Sequence, residues 1–176
     1  MNGPLRYPDD RRRLMARFSV VFLALILAFT GASSSGVAGR YLHEPLIRII
    51  AWMTATLLST LGQVESSGPF IQFQDFQVQV VEACDGVLPT YIYLAAVLAF
   101  PSRWAAKAWG VLIGVPAIFL INLARMSSLM LLGAWRPELF EKVHIYVWQA
   151  LVIAFSMALW VFWAERFVRP RPRTRT

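Results

Sequence analysis

Val80-Val81-Glu82-Ala83-Cys84-Asp85-Gly86-Val87-Leu88-Pro89-Thr90 is the stretch on which the fold turns, because a polar, alternating segment ends there and a long apolar run begins. Upstream, Ile71 and Phe73, then Phe76, Val78 and Val80, alternate with glutamines, the period of a strand whose two faces differ. This pattern predicts a short β-hairpin over residues 65–82, with Ser66-Ser67-Gly68-Pro69 leading in and Gln74-Asp75 near the turn. Downstream, residues 87–100 read as an apolar helix, with Pro89 in its first turn, where a missing N–H is tolerated. The same stretch holds the single cysteine of the chain, Cys84. A lone cysteine is most often a small buried hydrophobe, so a chemical role requires partners from elsewhere.

The 176-residue chain is 57% hydrophobic and only 15% charged, with a mean hydropathy of +0.54. That composition suits a one-domain polytopic membrane protein. The net charge of +7 comes from basic residues at the termini and in one short loop. Such a distribution is a membrane-orientation signal, and no nucleic-acid partner is expected. One cysteine cannot form an intramolecular disulfide, and with His43 and His144 the only histidines no metal or other cofactor is expected.

Apolar runs predict crossings at residues 18–37, 87–100, 108–125 and 143–167, the third able to continue to Trp135. Residues 1–17 form a basic leader and 168–176 a basic tail. Thr30-Gly31-Ala32-Ser33 has the small residues of a signal-peptide cleavage site, but apolar character continues through Val37 and favours a retained anchor. Residues 46–64 are different. Leu46, Ile49, Ile50, Met53, Leu57, Leu61 and Val64 keep helical rhythm opposite Arg48, Thr56, Ser59 and Gln63, as in a helix lying at the interface. Arg136 to Lys142 reads as a polar connection, and Trp104, Trp109, Trp135, Trp148, Trp160 and Trp163 as interfacial belts.

The positive-inside rule puts both termini and the Arg103/Lys107 loop in the cytoplasm, which demands an even number of crossings. The expected fold is therefore an all-α polytopic membrane protein with about four transmembrane helices, an outer interfacial helix and a short β-hairpin. On that topology twelve of the 17 Lys and Arg residues lie inside and seven of the 10 acidic residues outside. It also brings the outer ends of three helices, marked by Cys84, Arg125 and His144, to one membrane surface.

These three residue types suit acyl transfer. A thiol nucleophile needs a lowered pKa or a base, histidine can supply the base, and a cation can stabilise the oxyanion. Each also has a plain alternative: Arg125 can snorkel from a helix end, and His144 can be an interfacial residue beside Tyr146 and Trp148. Asn122 lies one turn before Arg125 and is a candidate to orient it or bind substrate. Glu82 and Asp85 read first as solvated boundary carboxylates, with orientation of His144 or Arg125 as the functional alternative, and Glu141 has similar standing. His43 reads as a surface residue. Away from their ends the long apolar runs contain no acidic residue, which argues against an aspartyl protease, a proton pump or an ion-coupled carrier. The chain has neither a His-Glu-x-x-His zinc helix nor a phosphate loop.

From about Leu57 to Phe167 the sequence resembles the exosortase/archaeosortase family of polytopic transpeptidases. The resemblance is carried by Gly62 with Val64, Gly68 with Ile71, Val-x-Glu-Ala-Cys-x-Gly at Val80 to Gly86, Asn122-x-x-Arg125, and His144 opening the last helix. It departs at Asp85, where many members have Ser, and at Val87-Leu88-Pro89, where an Ile-Arg continuation is usual. Its compact length is similar to that of the exosortase H-type members.

The resemblance implies that Cys84, Arg125 and His144 are catalytic. It further implies a cysteine peptidase or transpeptidase of the plasma (inner) membrane, working on its outer face. The implied partners are the lipid bilayer and exported proteins ending in a short motif, a membrane helix and a basic cluster. Such an enzyme would pass the acyl group to an acceptor. The rival readings are a non-catalytic assembly factor that binds the same tails and a small transporter subunit.

Overall fold

In the computed structural model, residues 8–168 are described. The first part of the expected basic leader, residues 1–7, and nearly all of the expected basic tail, residues 169–176, lie outside them. The chain runs through α1 (Pro8–Ser33), α2 (Gly36–Ala38), a π-helical turn (Gly39–His43) and α3 (Glu44–Leu58). Strands β1 (Val64–Ser67), β2 (Phe70–Phe73) and β3 (Phe76–Gln79) follow, then a 3₁₀ turn (Glu82–Cys84) and α4 (Val87–Ala99). The rest is α5 (Trp104–Trp135), α6 (Pro137–Lys142), a π turn (Val143–Trp148), α7 (Gln149–Trp163) and a final π turn (Ala164–Val168).

Three helical stretches are long and apolar enough to cross a membrane: Arg11–Ser33, Trp104–Trp135 and Pro137–Val168. A shorter apolar helix, Val87–Ala99, lies among them. Aromatic contacts fix the mutual directions. Phe18 in the first half of α1 meets Phe100 just after α4, and Phe29 near the end of α1 stacks on Tyr91 in α4, so these two helices are antiparallel. In the same way Trp163 at the end of α7 donates from Nε1 to the Ala106 carbonyl in the first turn of α5, at 2.7 Å. The bundle core is Tyr93, Val97, Ala106, Ile118 and Trp163. Tyr93 keeps its hydroxyl satisfied there by donating to the Gly110 carbonyl at 3.0 Å, as a buried polar group in apolar surroundings must.

A helix of 32 residues is about 48 Å long, well beyond the roughly 30 Å apolar thickness of a bilayer. The last turns of α5 therefore extend past the bundle, and α3 and the sheet pack on them. This cap has its own core of Ile47, Ile50, Leu58, Ile71, Phe73 and Val80 against Met126 and Met130 of α5, and Cys84 belongs to the same cluster. A Cβ on Gly133 would lie 2.0 Å from the Phe76 ring, so the missing side chain is what lets β3 dock on α5.

Several expectations are corrected here. The β-structure is a three-stranded antiparallel sheet in the order β1-β2-β3, not a hairpin, because residues 64–67 pair with β2 instead of only leading into it. Its turn residues are Gly68, with φ +60, and Gln74, with φ 55. The helix expected over 46–64 ends at Leu58, where Ser59, Thr60 and Gly62 break the rhythm and Val64 joins β1. Its buried face is Ile47, Ile50, Ala51, Thr54, Ala55 and Leu58, while Ile49, Trp52 and Leu57 are exposed. The Arg136–Lys142 connection is mostly helical, starting at Pro137 in a first-turn position, so the last apolar stretch begins earlier than residue 143. Part of the basic leader is the start of α1. Trp163 is a core residue at 2% exposure, whereas Trp104, Trp109 and Trp135 are exposed as an interfacial belt requires.

Candidate active site

Cys84 closes the 3₁₀ turn between the sheet and α4, at the seam between the two cores, and is 7% exposed. Its backbone is held on both sides. Asn122 of α5 donates from Nδ2 to the Cys84 carbonyl at 2.8 Å. On the other side Asp85 Oδ1 accepts the Val87 N–H at 2.8 Å, fastening the first turn of α4. Gly86 sits between them with φ +78, a conformation that disfavours any side chain. A Cβ at Gly86 would also come within 3.1 Å of Asn122 Cγ, so the residue is glycine for two independent reasons.

His144 enters on the π-helical turn that joins α6 to α7. Its Nε2 lies 3.8 Å from Cys84 Sγ and accepts a hydrogen bond from Arg125 Nη2 at 2.7 Å. An Nε2 that accepts from a guanidinium, which can only donate, belongs to an imidazole with its proton on Nδ1. Arg125 comes from the same face of α5 as Asn122, one turn along. Its Nε is buried and without a partner, and so is Asn122 Oδ1. A cleft of about 210 Å³ opens beside these groups, lined by Cys84, His144, Glu141, Phe140, Met126 and Met130 among others. Thiol, imidazole and guanidinium thus converge from three helical elements, and unused donor and acceptor atoms remain beside them.

The remaining candidates divide. Asn122 binds the Cys84 backbone and makes no bond to Arg125 among the described contacts. Glu82 is exposed and lines a different cleft with Glu44 and Arg48. Asp85 is buried at 2% exposure and pairs with neither His144 nor Arg125; its Oδ2 hydrogen-bonds His43 Nδ1. Burial pushes its carboxyl above the usual aspartate range, against the opposing pull of the His43 and Val87 hydrogen bonds. His43, expected at the surface, is 5% exposed, and its Nε2 lies 2.6 Å from Ser33 Oγ. No spacing rule could pair His43 with Asp85, which is 42 residues away. The one local sign is that His43, like His144, sits on a π turn, a feature common at functional sites.

No curated protein and no solved structure matches the chain. A family model described as transmembrane exosortase, of the EpsH type, matches residues 11–164. That span takes in the seam where Cys84, Arg125 and His144 meet, together with all four bundle helices and the cap. The chain belongs to the transmembrane exosortase family.

Proposed function

We propose that the protein is a membrane-embedded cysteine transpeptidase that cuts carboxy-terminal sorting tails of exported proteins and passes the new acyl end to an acceptor. The observation that carries this reading is the meeting of Cys84 Sγ, His144 Nε2 and Arg125 Nη2 at one point. In this reading both chain termini are cytoplasmic, α1, α4, α5 and the α6–α7 stretch all cross, and the site faces outward from the plasma membrane. The basic residues of the Arg103/Lys107 loop, at the end of the bundle opposite Cys84, support that orientation. The exposed Ile49, Trp52 and Leu57 of α3 support its lying on the outer interface.

The His144 lone pair is held by Arg125 at rest, so it cannot at the same time take the thiol proton. A substrate carbonyl entering the cleft offers Arg125 a better acceptor, an oxygen on which negative charge will grow. As Arg125 turns to it, Nε2 is released to the thiol. Cys84 then attacks the carbonyl carbon, its proton passes to Nε2, and the oxyanion is held by the guanidinium. Collapse breaks the C–N bond, the proton moves from His144 to the leaving amine, and a thioester remains on Cys84. An acceptor amine, deprotonated by His144, attacks the thioester and regenerates the thiol.

A second cleft, of about 460 Å³, runs between α1, α4 and α7 along Phe18, Phe22, Ile92, Ala96, Met157 and Trp160. Pro89 in the first turn of α4 brings its rim toward the Cys84 loop. The buried Ser156 Oγ and Trp160 Nε1 have no partner. An apolar helix carrying an occasional polar group would fill this space and meet those atoms, and we assign it to the membrane helix of the tail. Co-expression with a tail-bearing substrate tests the catalytic reading. Cys84→Ala is expected to abolish processing, and unchanged processing in that variant would overturn it.

A further inference from the structure

We propose that Ser33, His43 and Asp85 form a relay that positions the nucleophile, with His43 acting on Cys84 through the residue next to it. This rests on the catalytic reading above. Among the described residues Asp85 is the one buried carboxylate, and burying it is costly unless it is fully paired. Its pairing is complete and directional. Ser33 Oγ donates to His43 Nε2, His43 Nδ1–H donates to Asp85 Oδ2, and the Val87 N–H donates to Asp85 Oδ1. Every ring nitrogen of His43 and carboxylate oxygen of Asp85 in the relay has a partner.

Through these hydrogen bonds the relay links three separate parts of the protein. Ser33 is the last residue of α1, His43 ends the π turn leading into α3, and Asp85 caps the turn that carries Cys84. Asn122 fixes the carbonyl of Cys84 from the α5 side, and His43 fixes the following residue from the α1 and cap side. Between these anchors the direction of the Cys84 side chain toward His144 is determined. Without His43, Asp85 would be a buried carboxylate short of a donor, and the turn would move to rehydrate it.

The atoms also stand in the order of a hydrolytic Ser-His-Asp triad, with Ser33 as its nucleophile. The backbone does not support that use. The N–H groups of Ser34 and Ser35, which follow the hydroxyl, are already bonded to the Thr30 and Ala32 carbonyls at 3.0 and 3.2 Å, so they are not free to hold an oxyanion.

The test uses full-length protein in membranes and measures tail processing together with the rate of Cys84 alkylation by iodoacetamide. His43→Ala is expected to lower kcat by about 10- to 100-fold, the effect of misplacing a reacting atom by about an ångström, with KM nearly unchanged. The rate of Cys84 alkylation should rise, because a loosened turn lets the thiol out of the seam in which it is 7% exposed. His43→Gln, whose amide can donate to Asp85, should restore most of both signals. Asp85→Ala should cost at least as much as His43→Ala, and the double variant no more than Asp85→Ala alone. Native kcat and alkylation in His43→Ala, or His43→Gln no better than His43→Ala, would overturn the proposal. Labelling of Ser33 by a fluorophosphonate would overturn it in favour of a second nucleophile. Should His43→Ala fail to accumulate, Ser33→Ala decides, because it removes only the outer bond: a smaller loss of kcat supports the relay, and none contradicts it. Alkylation needs no transpeptidation, and Cys84→Ala tests the catalytic reading alone, so failure of one idea is distinguishable from failure of the other.

Discussion

His144 Nε2 has one lone pair and two neighbours that want it, Arg125 at 2.7 Å and Cys84 at 3.8 Å. The competition makes Arg125 more than a fixed charge, and lysine cannot reproduce a planar guanidinium that can leave one acceptor for another. Arg125→Lys is therefore expected to lower kcat by about 10²- to 10³-fold, the range for losing an oxyanion donor, in a steady-state processing assay. Asp85 makes a prediction about stability. Burial raises its folded-state pKa above the usual aspartate range. Stability from this group is thus fully present below the unfolded value and is lost as pH rises through the folded one. Asp85→Asn cannot titrate, so its melting temperature relative to the native protein should increase from about pH 3.5 to pH 7. A constant difference across that range would contradict the assigned environment. Cys84, Arg125 and His144 could be singled out in the sequence because they stand at helix ends that the expected topology brings to one side. His43 and Ser33 could not, because hydrogen bonds between distant loops leave no period or spacing.

Among the elements, α4 carries two separate demands, a start that shapes the Cys84 turn and a flank that lines the α1–α7 cleft. Gly86→Ala, at φ +78 and 3.1 Å from Asn122, should destabilise the protein by about 1–3 kcal/mol and reduce processing. Gly36→Ala meets nothing within 4 Å and should leave both unchanged. Chemical or thermal unfolding with a processing assay compares them. Ala96→Trp fills the cleft far from the thiol and should raise KM for the tail while Cys84 alkylation stays native. The long helices were readable because continuous apolar character carries their signal. The α3 face was not, since Ile49 and Leu57 fit the same rhythm as Ile47 and Leu58 and only packing separates them. β1 was missed for a related reason: Glu65, Ser66 and Ser67 are all exposed, so no alternation marks the strand.

The whole molecule is two cores sharing one seam, an apolar bundle and a cap carried on the far end of α5, with Cys84 at their junction. On the proposed function the bundle would hold the membrane helix of the tail, and the cap would lie over the bond to be cut. If α1, α4, α5 and the α6–α7 stretch all cross, single cysteines introduced at Arg40 and Glu65 in a Cys84→Ala background should both react with an impermeant reagent from outside. Labelling of only one of them would make α3 a crossing. The central claim is that Cys84 carries the acyl group between cleavage and transfer. Quenching the reaction with a tail-bearing substrate and mapping the protein by mass spectrometry tests it most directly. The account predicts a hydroxylamine-labile substrate adduct on Cys84 that accumulates when the acceptor is withheld. Continued cleavage in Cys84→Ala, with no adduct on Cys84 in the native protein, would contradict it.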